Sequence, residues 1–143
     1  MEKRLTDRDI GEKFVGSHTR LITPTELDMF CSITGMRGDA FLSDEVARSR
    51  GMKGRVLPGA MSLAILFSLL EEEFLRGPQG QGAIFTGLNN LKLLAPVYPR
   101  DRLRAEAEVL AKKETSKGDR VFVTYLWTLK NQEGVTVAQG ENT

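Results

Sequence analysis

Moving a proton or gripping a ligand asks for ionisable side chains held at turns and helix starts, and one stretch of this sequence offers three. The stretch TGMRGDAFLSDEVA, Thr34 to Ala47, sets Asp39, Asp44 and Glu45 among turn glycines, where a loop carboxylate can serve as a general base. Asp44 and Glu45 directly follow Ser43, a good helix N-cap, so they fit first-turn partners of a helix dipole. Asp39 is then the loop carboxylate left for chemistry, its plain alternative being a solvated turn residue. The sole histidine, His18, stands far from this loop in sequence, and the sole cysteine, Cys31, lies on an apolar helix face with nothing nearby to depress its thiol pKa. One of each is too few for a structural zinc site, and a lone cysteine excludes an internal disulfide, so no metal is expected.

A second kind of chemistry is anion binding. Pro58-Gly59 opens a helical run, and a helix start presents free N–H donors and a positive dipole end that suit a developing oxyanion. Glycine there admits close approach. Lys53, Arg55, Arg100 and Arg102 have the charge to draw in phosphates, against the default of scattered surface cations. The glycines of RGPQGQGAIFTG follow a helix and precede a strand, the reverse of a nucleotide-binding loop, and mark a turn.

Several elements must position these groups. Residues 14–23 read as a short strand. Thr23-Pro24-Thr25-Glu26 combines a capping box with Pro at the first helical position, and Leu27, Phe30 and Cys31 repeat at helical spacing until Gly35. Ser43 caps a short helix that Gly51 stops. The longest helix begins at Pro58-Gly59 and ends at Gly77-Pro78. Its Met61, Leu63, Ala64, Ile65, Leu66, Phe67, Leu69 and Leu70 surround the axis, so it should be enclosed on most sides.

Residues 83–94, 102–112, 120–130 and 135–141 look extended and supply the wrapping. Leu103, Ala105, Ala107, Val109 and Ala111 alternate with Arg102, Arg104, Glu106, Glu108 and Lys112; Val121, Val123, Tyr125, Trp127 and Leu129 alternate in the same way. Turn signals SKGD and NQEG lie between strands. The expected fold is α+β: a meander of four antiparallel strands, joined by the N-terminal one, curled around one helix.

Composition bounds the rest. The 143 residues suit one domain, 41% hydrophobic and 27% charged, which argues against disorder. Twenty basic and nineteen acidic side chains, well mixed, make no stripe for nucleic acid. The apolar run Gly59 to Leu70 is too short to span a bilayer, and the N-terminus lacks the apolar core of a signal peptide, so no membrane and a cytoplasmic location are expected.

Four pieces, TG at 34–35, LSDEVARSRGMKGRVLPG at 42–59, LNNLKLLAPVYPRD at 88–101 and NQEGVTVAQGE at 131–141, occur in this order of elements. In that order the chain resembles the hotdog fold and, within it, the MaoC-like (R)-specific enoyl-CoA hydratases and 3-hydroxyacyl dehydratases. The resemblance spans most of residues 1–143 and implies a single hotdog domain, a curved antiparallel sheet around a long central helix. Family members read T/S-G-D-x-N-P-x-H-x-D before that helix, the Asp and His forming a catalytic pair. Here the Asp position is Met36 and the His position Phe41; Gly38 and Asp39 replace Asn and Pro, Ser43 stands at the second Asp, and Arg100 replaces the Gly of YPGD.

Water addition to an enoyl thioester needs proton transfer at carbon and oxygen with the carbonyl polarised. A thioether and a phenyl ring cannot transfer protons, and losing such groups typically costs about 10² to 10⁴ in rate each. Gly59, after Pro58, matches the family glycine whose amide receives the thioester oxygen. The resemblance therefore implies an acyl-CoA or acyl-ACP binding site near Met36, Phe41, Arg55, Pro58 and Gly59, with no cofactor beyond the coenzyme A or acyl-carrier thioester that is the ligand. It also implies a homodimer, or a heteromer with a catalytically complete hotdog subunit. Two rivals remain open: an active hydratase or thioesterase using Asp39, and a homodimer that senses acyl-CoA.

Overall fold

The structure, a computed structural model, describes residues 3–80 and 82–143. Local chemistry fixes its first helix, α1, Pro24–Thr34. The Thr23 hydroxyl accepts the Glu26 amide at 3.2 Å while the Glu26 carboxylate accepts the Thr23 amide at 3.2 Å, satisfying two of the donors a helix start leaves unpaired. Gly35 ends the helix at φ 73°, a conformation that costs glycine nothing. α2, Asp39–Leu42, is one unanticipated turn. α3, Asp44–Ser49, starts as expected at Ser43, whose hydroxyl accepts the Val46 amide at 3.2 Å. α4, Gly59–Leu70, passes into a π-type turn, Glu71–Leu75, and stops there, short of the Gly77-Pro78 expected from sequence.

The strand expected over 14–23 is two short strands, β1 Lys13–Val15 and β2 Arg20–Leu21, both pairing antiparallel with β4, Arg102–Glu114. β4, β5 (Val121–Lys130) and β6 (Thr136–Asn142) form successive antiparallel hairpins. β3, Leu88–Leu93, departs from the expected meander: it pairs with β6, giving the order β1-β4-β5-β6-β3 with β2 also on β4. Residues 94–101 are therefore a crossing connection. The Leu94 and Ala95 amides donate to the Val137 carbonyl, and the Leu57 amide donates to that of Val97, so the connection runs past the approach to α4.

The alternation of β4 and β5 holds where the sheet faces α4. Leu103, Ala105, Ala107 and Val109 meet Val123, Tyr125, Trp127 and Leu129 in one core with Met61, Ile65, Leu66, Leu69, Leu70 and Phe74. Beyond Val109 the β4–β5 register shifts, with Leu110 as the extra residue, and Ala111 is exposed where alternation had it inward. The enclosure of α4 is likewise less complete than its composition suggests. Ala60, Ala64 and Ser68 are exposed and Leu63 and Phe67 half-buried, because the sheet covers only one side of the helix. Exposed Met29 and Ile33 of α1 and Leu91, Leu93 and Leu94 at the β3 edge add to this open apolar side.

Candidate functional site

The site follows from how the chain approaches α4. The Thr34 hydroxyl donates back to the Phe30 carbonyl at 2.7 Å, and the hydroxyl oxygen accepts the Met36 amide at 3.3 Å. Gly38 then lies against the Phe41 ring, where a β-carbon would fall 2.8 Å from a ring atom. Phe41 packs against both the main core and a smaller cluster of Ala40, Ala47 and Val56. Met36 is half-buried. The rim is thus built around an aromatic wedge.

One guanidinium holds this rim. Arg55 Nε donates to the Phe41 carbonyl at 2.8 Å, its terminal nitrogen pairs with Asp28 of α1, and its amide donates to Asp44 Oδ1 at 2.8 Å. The Arg55 side chain, only 15% exposed, bridges α1 and α2, and its backbone amide adds the tie to α3. Lys53 lies with its ammonium 6.0 Å from the Tyr98 ring, and its amide donates to the Tyr98 hydroxyl oxygen at 3.1 Å. Asp39 opens α2 with its side chain 73% exposed and 3.8 Å from Arg50, a solvent-facing ion pair. His18 lies outside this region: together with Ser17 it binds Glu73 of the π-type turn, tying the loop after β1 to the end of α4. Burial works to raise the Glu73 pKa, yet hydrogen bonds from the Ser17 hydroxyl and amide and from His18 hold it below the usual carboxylate value.

Pro58 is buried at the N-cap of α4, and Gly59 and Ala60, as first-turn residues, have no carbonyl one turn back to receive their amides. Gly59 borders a cavity of about 310 Å³ walled chiefly by apolar groups, among them Met52, Val56, Leu93 and Val137. A β-carbon on Gly59 would meet Leu93 Cδ1 at 2.4 Å, so glycine leaves this mouth open. Ser62 shares the lining and is buried, and its hydroxyl makes no hydrogen bond among the described residues. Sequence reasoning missed it, although three residues from Gly59 is the spacing that puts two helix positions on one face. A helix-start amide, a free hydroxyl and an apolar cavity can together hold a carbonyl oxygen attached to an apolar chain.

Arg100 shows how the chain departs from the resemblance. It sits at φ 73°, the left-handed region, with its amide donating to the Ile22 carbonyl at 2.7 Å. Asp101 stabilises this turn, its carboxylate accepting the Tyr98 amide at 2.9 Å and the Gln132 side chain at 3.0 Å. The backbone keeps the conformation that a glycine would take, while the side chain has become a cation. Among the described residues, no group of three or more His, Cys, Asp or Glu could hold a metal ion, and no helix is long and apolar enough to cross a membrane.

Comparison with known proteins agrees with this architecture. An uncharacterised Bacillus subtilis (strain 168) protein, YdeM, is 36% identical over 100 residues, covering 68% of each chain. A MaoC-like dehydratase from Rhodospirillum rubrum superposes with a TM-score of 0.83 at 26% identity, covering 95% of this chain and 90% of that one. R-hydratase PhaJ1 from Pseudomonas aeruginosa gives a TM-score of 0.75 at 28% identity, covering 99% and 83%. The family described as the MaoC like domain matches residues 6–131, and the chain belongs to that hotdog-fold family.

Proposed function

We propose that this chain binds an acyl thioester, carried by coenzyme A or an acyl carrier protein, at the start of α4, and that it lacks an acid–base pair of its own. The observation that carries the reading is the donor pair at one cavity: the Gly59 amide and Ser62 hydroxyl offer donors to a thioester oxygen. Met36 and Phe41, which the resemblance sets at the acid–base positions, have no proton to exchange and do not line that cavity. Asp39, the carboxylate an active enzyme would call on, is exposed and near Arg50. The relatives named as a MaoC-like dehydratase and an R-hydratase support the thioester class.

The open apolar side formed by Ala60, Ala64, Leu91, Leu93 and Leu94 would be covered by a second hotdog subunit, either this chain again or a partner with the Asp and His in place. The decisive experiment measures binding and hydration of crotonyl-CoA by the purified chain. Binding without turnover is expected, and co-purification of an Asp/His-bearing hotdog partner separates a companion subunit from a solitary acyl-CoA sensor. Turnover abolished by Asp39→Asn supports the active-enzyme rival instead. Vigorous turnover untouched by that substitution refutes both readings of the loop.

A further inference from the structure

The chain enters the fold as an arm laid over the far end of α4. A single 3₁₀ turn, Leu5–Asp7, leads into β1, and the Gly16 amide donates to the Ala105 carbonyl of β4 at 2.9 Å. One guanidinium fills the space beneath. The Arg8 guanidinium carbon stands 4.5 Å from the Phe74 ring centroid and 5.9 Å from that of Phe14, and its terminal nitrogen donates to the Glu73 carbonyl at 3.3 Å, where a cation suits a helix end. This seat is costly to hold. The Arg8 side chain is 11% exposed, its Nε has no hydrogen-bond partner among the described residues, and burial pulls its pKa down against the opposing charge of Glu12, 3.5 Å away.

Closure of the arm therefore falls to the Glu73 carboxylate. It accepts the Ser17 amide at 2.9 Å, the Ser17 hydroxyl at 2.7 Å and the His18 amide at 3.1 Å, and it pairs with the His18 ring. A β-carbon on Gly16 would fall 2.9 Å from the Ala105 carbonyl, so glycine lets the loop come this close. The charged groups around Glu73 are Arg8 and His18 from the arm, with Glu12 and Lys3 paired behind Arg8, and Glu71, Glu72 and Arg76 on its own turn. From the sheet, Lys112 of β4 donates to the Arg8 carbonyl at 3.0 Å and Tyr125 of β5 meets Phe74 edge-on. An ionised carboxylate holds such donors far more tightly than a neutral one. Leu5 of the arm and Leu75 of the π-type turn both border a cavity of about 730 Å³ that shares no lining residue with the one at Gly59.

We propose that residues 5–18 are an acid-released strap: the ionised Glu73 carboxylate holds them shut over the end of α4, and neutralising that one group frees the strap and unseals the larger cavity while α4 and β4 to β6 stay folded. The sign follows from the closed state. Burial raises the Glu73 pKa, but the Ser17 and His18 hydrogen bonds outweigh it and leave it below the usual carboxylate value, to which it returns when the strap opens. Closure is thus strongest above the usual carboxylate range and is lost as pH falls through the lowered value.

Native-state hydrogen exchange on the full chain reads the strap without any ligand, so its outcome is separate from that of the Gly59 reading. The amides of Gly11, Gly16, Ser17 and His18 should share one opening constant, larger than that of the β5 amides. Trp127→Phe weakens the core that stays folded, so it should speed β5 exchange and leave the strap amides unchanged. From about pH 6 to about pH 3 the shared constant should rise about tenfold, and in Glu73→Gln it should be high and flat across that range. The proposal is overturned when the strap amides open only together with β5, or when the pH response survives in Glu73→Gln. Should that variant fail to fold, Ser17→Ala, which takes one donor from the carboxylate, must move the response to higher pH; an unmoved profile overturns the strap.

Discussion

Replacing Arg100 by glycine probes both the backbone and the site. Arg100 holds φ 73°, a region that costs a residue with a β-carbon roughly 1–2 kcal/mol. Glycine removes that cost but adds about 0.4–1 kcal/mol of unfolded-state entropy, leaving a net gain of about 0.5–1 kcal/mol. The side chain is exposed and makes no ion pair among the described residues, and the amide bond to the Ile22 carbonyl survives the change, so nothing offsets the gain. For a chain of 143 residues, 1 kcal/mol corresponds to about 3 °C in Tm, within reach of calorimetric or circular-dichroism melting. If the cation serves the phosphates of coenzyme A, the same variant loses up to about fivefold in CoA affinity, the scale of an exposed ion pair. A melting point that falls in Arg100→Gly refutes the strain argument; unchanged CoA affinity refutes the phosphate role.

Other substitutions test separate links. Gly59→Ala puts a methyl against the mobile end of Leu93; it should leave Tm within about 2 °C while weakening crotonyl-CoA binding about tenfold, as read by calorimetry. Ser62→Ala should lower that affinity by about three- to tenfold with the fold intact, since its hydroxyl has no internal bond to lose. Trp127→Phe strands Asn142 Oδ1 in the core and should cost about 2–4 kcal/mol in urea unfolding. Glu73→Gln removes a carboxylate whose folded pKa is depressed, so the native contribution is present above its unfolded value and lost as pH falls through the lowered folded one. Paired urea titrations should therefore show a gap of about 1–2 kcal/mol between wild type and variant at pH 7 that closes in the acid range, and a gap independent of pH would contradict the assignment.

Much of the scaffold could be read from short-range chemistry. The Thr23–Glu26 box, the Ser43 cap and the alternation of β4 up to Val109 and of β5 from Val123 each depend on residues a few positions apart, and each formed as expected. The place of β3 could not be read, because an eight-residue connection of moderate length fits a hairpin as well as a crossing, and only the β6 edge decides. α2 has no side-chain cap and a single turn, too little pattern to show. Of the binding residues the resemblance implies, Gly59, Pro58, Met36, Phe41 and Arg55, Gly59 lines the cavity at the start of α4 while Met36 and Phe41 do not. The roles of Arg55 and Ser62 depend on contacts across α1, α2 and the cavity that no local spacing encodes.

The Arg55 clasp has a mechanical consequence. Because one planar cation spans an acidic side chain, a main-chain oxygen and, through its own amide, a second acid on three short helices, the mouth over α4 should open and close as a single flap. Swapping in lysine, with a point charge and no fork, would loosen the tie between α1 and α2 while the backbone bond to Asp44 stays, and turn a shaped entrance into a loose one.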